Sequence, residues 1–296
     1  MDSYRDESGY LSLLDDVLQN GEVKKTRNGN VISSFGKMLS FYDISNKFPL
    51  LTTKKMFTKG IIEELLWFLR GSTNAIELQE KGVKIWEGNS TREYLDSVGL
   101  SHYAVGELGP VYGWQWKKFG KPYGDNDKEG FDQIKYVIEE LMKENHSRRA
   151  VLSGWNPSQL SEMALPPCHI LYTFYKNSNG LHCSMTMRST DLFLGLPFNI
   201  ASTAVLTHII ASVLNIKAYA ISINMTDPHI YEEHIDAVKT QLNNDILNFP
   251  QLEIKKQKPS QDSSIDDKLQ WINDLKYEDF VFHNYSSANA IKAPMK

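Results

Sequence analysis

One α/β or α+β domain is the fold class the sequence predicts, on three observations. Strand-like and helical runs interleave along the chain, and no linker is rich enough in Gly, Pro or Ser to divide it. No internal repeat or low-complexity tract interrupts that pattern. The 296 residues are 41% hydrophobic and 23% charged, an ordinary globular composition. A rule of about 150 residues per domain would give two units, but one large α/β unit reaches this size, so residues 1–296 are read as one domain. Such a chain buries about three quarters of the surface it exposes when unfolded, and its core needs no metal or disulfide staple.

The elements follow in order. Tyr10–Leu18 has helical spacing and stops at Asn20-Gly21, a C-cap signal. Val31–Phe41 mixes β-branched, aromatic and small residues and reads as strands with turns. Thr58–Leu69 is apolar almost all round, as a buried helix must be. On that helix Glu63 is expected on an exposed face. Glu64, just before Leu65-Leu66-Trp67-Phe68-Leu69, is the better candidate for a buried working carboxylate. Residues 87–108 and 118–130, rich in Gly, Asn, Asp and Lys, read as surface loops. Asp132–Glu144 is an amphipathic helix. Ala150–Leu152, Ile170–Tyr175, Leu181–Met187 and Ala218–Asn224 read as short strands, with helical patterns at 198–214 and 231–242 between and after them. Lys255–Asp267 reads as a polar loop, and an irregular tail begins at Tyr285.

Composition also narrows the function. Thirty-two basic against 36 acidic residues give a net charge of −4, so nucleic acid is not an expected partner, although a local basic site for a phosphate is compatible. The two cysteines, Cys168 and Cys183, cannot form a disulfide framework and suit a reducing, cytoplasmic compartment. Met1–Tyr10 is acidic and polar, unlike a signal or transit peptide. Phe198–Ile216 is the most apolar stretch. Polar residues from Asn199 to Ser212 interrupt it, so it reads as a buried helix and no membrane is expected. Neither a P-loop nor a Gly-rich dinucleotide fingerprint occurs. His229 and His234 flank two glutamates, but five positions on a helix would set the imidazoles about 140° apart, so no metal is expected.

Pro166-Pro167-Cys168-His169 stands out. Two prolines fix φ and remove two backbone donors, which gives the cysteine a stiff, extended entry. A thiol followed by an imidazole is a candidate nucleophile, against the plainer role of a small buried hydrophobe. A nearby positive charge would decide for the thiolate. Arg188-Ser189 ends one strand, Arg148 and Arg149 lead into another, and Arg27 lies in a turn. Each is compatible with a surface charge. An arginine fork followed by a serine is also a phosphate grip.

Longer motifs then carry a resemblance. Leu165-Pro166-Pro167-Cys168-His169 and the run Arg188-Ser189-x-Asp191-x-Phe193-Leu194-Gly195-Leu196-Pro197-Phe198-Asn199-Ile200-Ala201 resemble the folate-dependent thymidylate synthases. So do Phe48–Lys54, Glu64–Leu69, Gly109–Gly113 and Asp227-x-His229-x-Tyr231, all in family order from about residue 10 onward. The loop Ile85–Arg92 is similar to the eukaryotic-type branch.

The resemblance implies a mixed β-sheet flanked by helices, with sheets stacking in a homodimer. It implies reductive methylation of dUMP to dTMP by 5,10-methylenetetrahydrofolate, a co-substrate that leaves as dihydrofolate. Cys168 would add as a thiolate to C6 of the uracil ring, splitting a hard substitution into easier steps. Arg188 would stabilise that thiolate and, with Ser189 and Arg27, hold the 5′-phosphate. Arg148 and Arg149 would reach the phosphate from the other subunit. Asn199 would read the uracil edge, since its amide both donates and accepts. Glu64, with Tyr112 and His169, would move protons to O4 and from C5. His229 and Tyr231 would meet the 3′-hydroxyl. Trp86, Asp191 and Phe198 would surround the folate, Asp191 on the nucleotide side as well. Lys54 would meet the glutamate tail and Met295 would cover the ligand.

Three positions depart from the family pattern. Met187 stands where most synthases have Gln, Met225-Thr226 replaces a glycine-containing approach to Asp227, and Lys296 stands where an apolar residue usually closes the site. A charged side chain there is costly to bury. Pyrimidine-nucleotide hydroxymethylases share the cysteine and the folate but add water where the synthases add hydride. They are the alternative reading, because excluding water is what lets hydride win.

Overall fold

The computed structural model describes residues 7–125, 129–144 and 147–295. From the N-terminus it contains α1 (Ser8–Asn20), β1 (Glu22–Thr26), β2 (Gly29–Ser33), β3 (Lys37–Tyr42) and α2 (Thr58–Leu69). Four more helices follow, α3 (Ile76–Gln79), α4 (Arg92–Ser97), α5 (Tyr112–Lys118) and α6 (Gln133–Met142). The middle of the chain holds β4 (Val151–Ser153), β5 (His169–Asn177), β6 (Gly180–Met187), β7 (Thr190–Asp191), α7 (Gly195–Val213), β8 (Ala218–Met225) and β9 (Pro228–Tyr231). The last elements are α8 (Ile235–Leu242), β10 (Gln251–Ile254), α9 (Ile265–Asn273) and β11 (Phe280–His283).

Five strands form the central sheet in the order β3-β8-β6-β5-β4, with β6 and β8 parallel and the other neighbours antiparallel. Period-two burial gives it two unlike faces. Leu181, Cys183, Met185 and Met187 of β6 and Ile221, Ile223 and Met225 of β8 point into the core. His182, Ser184, Thr186, Ser222 and Asn224 form a half-exposed polar face, tied by Ser40 to Ser222 at 3.2 Å and Asn224 to Ser184 at 2.9 Å. A four-stranded sheet, β1-β2-β9-β7, and an antiparallel β10-β11 pair complete the strands described. Gly180 closes the β5–β6 hairpin at φ +135°, where a Cβ would lie 2.2 Å from the Lys217 carbonyl oxygen.

Helix α7 lies on the core face of that sheet, with α2 also packed against it. By length and composition it could cross a membrane, but 72% of its apolar window is buried inside the protein. Its polar groups are spent internally. Thr207 donates to the Thr203 carbonyl at 2.8 Å, and His208 Nε2 donates to the Ile44 carbonyl at 3.1 Å.

The structure corrects several sequence expectations. Glu63 is buried and pairs with Lys81 at 2.6 Å, because α2 is covered on that face too. Residues 87–108 are not a surface loop: they contain α4, and Leu95, Leu100, Tyr103 and Leu108 are buried. The 231–242 pattern is helical only from Ile235, since Tyr231 ends β9 and Glu232–His234 is a 3₁₀ turn. His229 therefore sits on a strand, and the helical angle between it and His234 does not apply. Part of the 255–267 loop opens α9, whose N-cap Ser264 accepts from the Asp267 amide.

Candidate active site

Cys168 and Arg188 meet because β5 and β6 are antiparallel neighbours, with His169 opposite Met187. The two prolines before Cys168 lack N–H groups, yet their carbonyls are used. Arg188 Nε donates to Pro167 at 2.8 Å, and an Arg188 terminal nitrogen donates to Pro166 at 3.0 Å. That nitrogen stands 4.0 Å from Cys168 Sγ. The guanidinium also lies over the Trp155 ring, 5.6 Å from its centroid. Burial pushes the Cys168 thiol above its ordinary value. Arg188 and Arg27 pull it down without reversing that, and Asp191 adds to the rise. The resting nucleophile is thus a thiol.

Glu64 faces this centre from α2. Burial raises its carboxyl to about 7, against a hydrogen bond from Trp86 Nε1 at 2.7 Å that favours the anion. A carboxyl half protonated near neutrality suits general acid–base work. Tyr112 is delivered by the turn before α5, where Gly109 has φ +75° and a Cβ would come 2.0 Å from the Glu162 carbonyl oxygen. Its phenol oxygen accepts from the Cys168 amide at 2.6 Å, so its own proton remains to be donated. Burial keeps that phenol protonated. His169 stacks on Tyr112 with centroids 4.1 Å apart and shares a 2.8 Å hydrogen bond with Tyr172. Burial lowers His169 to about 3, so at working pH it is a neutral platform for Tyr112 and carries no positive charge.

A second group of candidate residues comes from β7, β9 and the start of α7. Asp191 Oδ1 accepts from the Phe193 and Leu194 amides at 2.9 and 3.2 Å. Gly195 lies between Asp191 and Asn199, which is half-buried near the start of α7. Asp191 is paired with His229 across β7 and β9, and the His229 and Tyr231 rings meet edge to face at 5.2 Å. Ser189 is half-buried between β6 and β7. Arg27 is exposed on the β1–β2 turn, close enough to act electrostatically on both Cys168 and Tyr231. A nucleophile with two guanidinium groups acting on it, a protonatable carboxyl acting on the same Tyr112, and the Asp191 carboxylate are thus electrostatically coupled.

A family model for thymidylate synthase matches residues 8–296. The thymidylate synthase of Candida albicans is 43% identical over 98% of this chain and 97% of its own length. That of Homo sapiens is 43% identical over 98% of this chain and 90% of its own. The chain belongs to the thymidylate synthase family. It also matches bifunctional dihydrofolate reductase-thymidylate synthases, 43% identical in Paramecium tetraurelia and 45% in Zea mays, and spans 62% and 50% of their respective lengths.

The other expected residues have different surroundings from those the resemblance implied. Arg148 and Arg149 are exposed on the approach to β4. Lys54 does not offer its ammonium to a ligand: it is buried, donates to the Phe193 carbonyl and lies 3.7 Å from the Phe193 ring centroid. Burial pulls it down to about 7, against Asp191 and Glu7. Trp86 is buried with its N–H spent on Glu64, so it supports the carboxyl directly. Phe198 is half-buried against the core. Met295 does not cover the site; it is 66% exposed, and Lys296 lies outside the described residues. Met187 is 2% exposed beside Met225, so the departure there fills the core, and Thr226 is exposed. The sequence reading missed Trp155 under Arg188, Tyr172 behind His169, and Asn28, whose side chain bonds Tyr231. Only long-range pairing reveals them. Among the described residues no cluster of His, Cys, Asp and Glu has the arrangement to hold a metal.

Proposed function

We propose that this chain is a thymidylate synthase acting as one domain over residues 1–296, converting dUMP and 5,10-methylenetetrahydrofolate to dTMP and dihydrofolate. The single observation that carries the reading is Cys168 Sγ lying 4.0 Å from Arg188, with Tyr112 beside it under the influence of a Glu64 carboxyl raised to about 7. Cys168 bonds to C6 of the uracil. Arg188, Ser189 and Arg27 hold the phosphate, and the incoming dianion is matched by guanidinium charge already in place. Asn199 reads the ring edge, while His229 and Tyr231 meet the sugar. Tyr112 and Glu64 handle protons at O4 and C5, with His169 holding Tyr112 in place. The folate supplies the one-carbon unit and the hydride. The ionised Asp191, 21% exposed, and the aromatic Trp86 and Phe198 fit a ring that carries N–H donors. The two free thiols support a reducing compartment, the cytoplasm.

The hydroxymethylase reading is not favoured. The full-length relatives are synthases, and Met187, one of the three departures that raised the alternative, is buried in the core. The test is to incubate the protein with dUMP and the folate, weigh the nucleotide and follow dihydrofolate by absorbance. We expect dTMP with one dihydrofolate per turnover. Hydroxymethyl-dUMP as the main product, without dihydrofolate, would replace the reading.

We also propose a homodimer. The half-exposed polar face of the central sheet supports stacking of two sheets, and the exposed Arg148 and Arg149 support donation across the interface. Mixing an inactive Cys168→Ala protein with an inactive Arg148→Ala/Arg149→Ala protein should restore activity, up to about a quarter of wild type if subunits exchange at random. One of the two sites in a hybrid then has every group intact. Demonstrated exchange with no recovery would place the arginines' action within their own subunit.

A further inference from the structure

His234 has no part in the substrate contacts above. It is fully buried at the end of the Glu232–His234 turn, and its ring lies between two segments far apart in sequence. Nε2 meets the Pro294 carbonyl at 2.8 Å. A carbonyl only accepts, so Nε2 carries a proton and donates it. Nδ1 stands 3.7 Å from Asp191 Oδ1, and because a carboxylate only accepts, this edge attracts Asp191 when Nδ1 carries a proton as well. Phe193 and Tyr231 pack on the ring at centroid distances of 5.6 and 5.3 Å.

Both partners belong to connected structures. Pro294 ends a segment strapped to the loop before α2: Ala288 N donates to the Thr52 carbonyl at 2.8 Å, and Tyr285 donates to the Leu51 carbonyl at 2.9 Å. That loop is in turn gripped by the buried Glu7, whose carboxylate accepts from the amides of Thr52 and Thr53 at 2.6 and 2.9 Å. Asp191 opens the turn whose carbonyls are held by Tyr10 at Leu192 and by Lys54 at Phe193. His234 is the side chain that joins the C-terminal segment to this turn.

We propose that His234 is a positioning residue: its Nε2–H seats the C-terminal segment at Pro294 while its Nδ1 edge orients the Asp191 carboxylate, coupling tail docking to folate recognition. The role rests on the thymidylate synthase reading and adds a residue to it. A buried imidazole is tolerated only while its polar edges are matched. When the tail leaves, Nε2 loses its acceptor, the ring is free to turn, and Asp191 loses its neighbour. Burial works to raise the Asp191 carboxyl, and His234 with the Phe193 and Leu194 amides holds it below the usual value.

The test compares His234→Phe, His234→Gln and a deletion of residues 294–296, singly and with His234→Phe combined with the deletion. His234→Phe should raise the KM for the folate about tenfold, with dUMP affinity by calorimetry unchanged. His234→Gln, which keeps a donor for Pro294, should recover part of that. The double variant should be no worse than the deletion alone, because both remove one link. Effects that simply multiply, equal loss in the Phe and Gln variants, or a folate KM within about twofold of wild type in His234→Phe would overturn the proposal. Should His234→Phe fail to fold, nitrogen NMR of the imidazole in the deletion variant decides: the Nε2 signal must change when Pro294 is removed, and an unchanged signal refutes the link. Failure of the underlying reading shows separately, as a wild-type protein that forms no dTMP.

Discussion

Cys168→Ser should bind dUMP nearly as well as the wild type and lose about four or more orders of magnitude in turnover. Binding survives because Arg188 is held by the Pro166 and Pro167 carbonyls, which the substitution leaves in place. Turnover falls because a hydroxyl is a far weaker nucleophile than a thiolate near neutral pH. Calorimetry with dUMP and a steady-state assay separate the two effects, and near-normal turnover would end the covalent mechanism. The thiol has its own signature. Burial holds it above its ordinary value in spite of Arg188 and Arg27, so alkylation of Cys168 should accelerate only at alkaline pH. Cys183 is 2% exposed and should not react at all while the protein stays folded.

Glu64→Gln should lower turnover by about two to four orders of magnitude, with a smaller change in dUMP affinity. The amide is nearly isosteric and can still accept from Trp86, so the loss isolates proton transfer. In the wild type, kcat should show an inflection near 7, where the Glu64 carboxyl titrates, and the variant should lack it. A retained inflection would assign the titration to another group. The same shift affects stability. The folded protein holds the Glu64 proton more tightly than the unfolded chain, whose carboxyl sits near 4.5. The stability this confers is complete below about 4.5 and is lost as pH rises through about 7. Denaturation midpoints of wild type should therefore fall across that window by more than those of Glu64→Gln. Equal slopes would show that Glu64 titrates alike in both states.

Local pattern was enough for much of the architecture. Short strand-like runs marked β5, β6 and β8, the all-round apolar run of α2 marked one buried helix, and the interrupted apolar stretch of α7 marked another. It failed where an element is held from outside. All five residues of β1 are exposed, so it has no burial pattern to read, and β10 and β11 exist as strands only through each other. The same limit misplaced Glu63, whose burial depends on what covers α2 rather than on its own helix.

The sequence by itself determined the family and singled out Cys168 and the residues around it as candidates, because Pro166-Pro167-Cys168-His169 and Arg188–Ala201 are contiguous motifs readable without coordinates. The tertiary structure alone decided how each group behaves. Residues 20 positions apart in sequence set Arg188 beside Cys168, and burial then outweighed its charge. Burial likewise made His169 a neutral platform, brought Glu64 to neutrality and turned Lys54 inward onto Phe193. Motifs record which chemical groups are present. Desolvation and long-range partners, which exist only once the chain has folded, set their charge and direction.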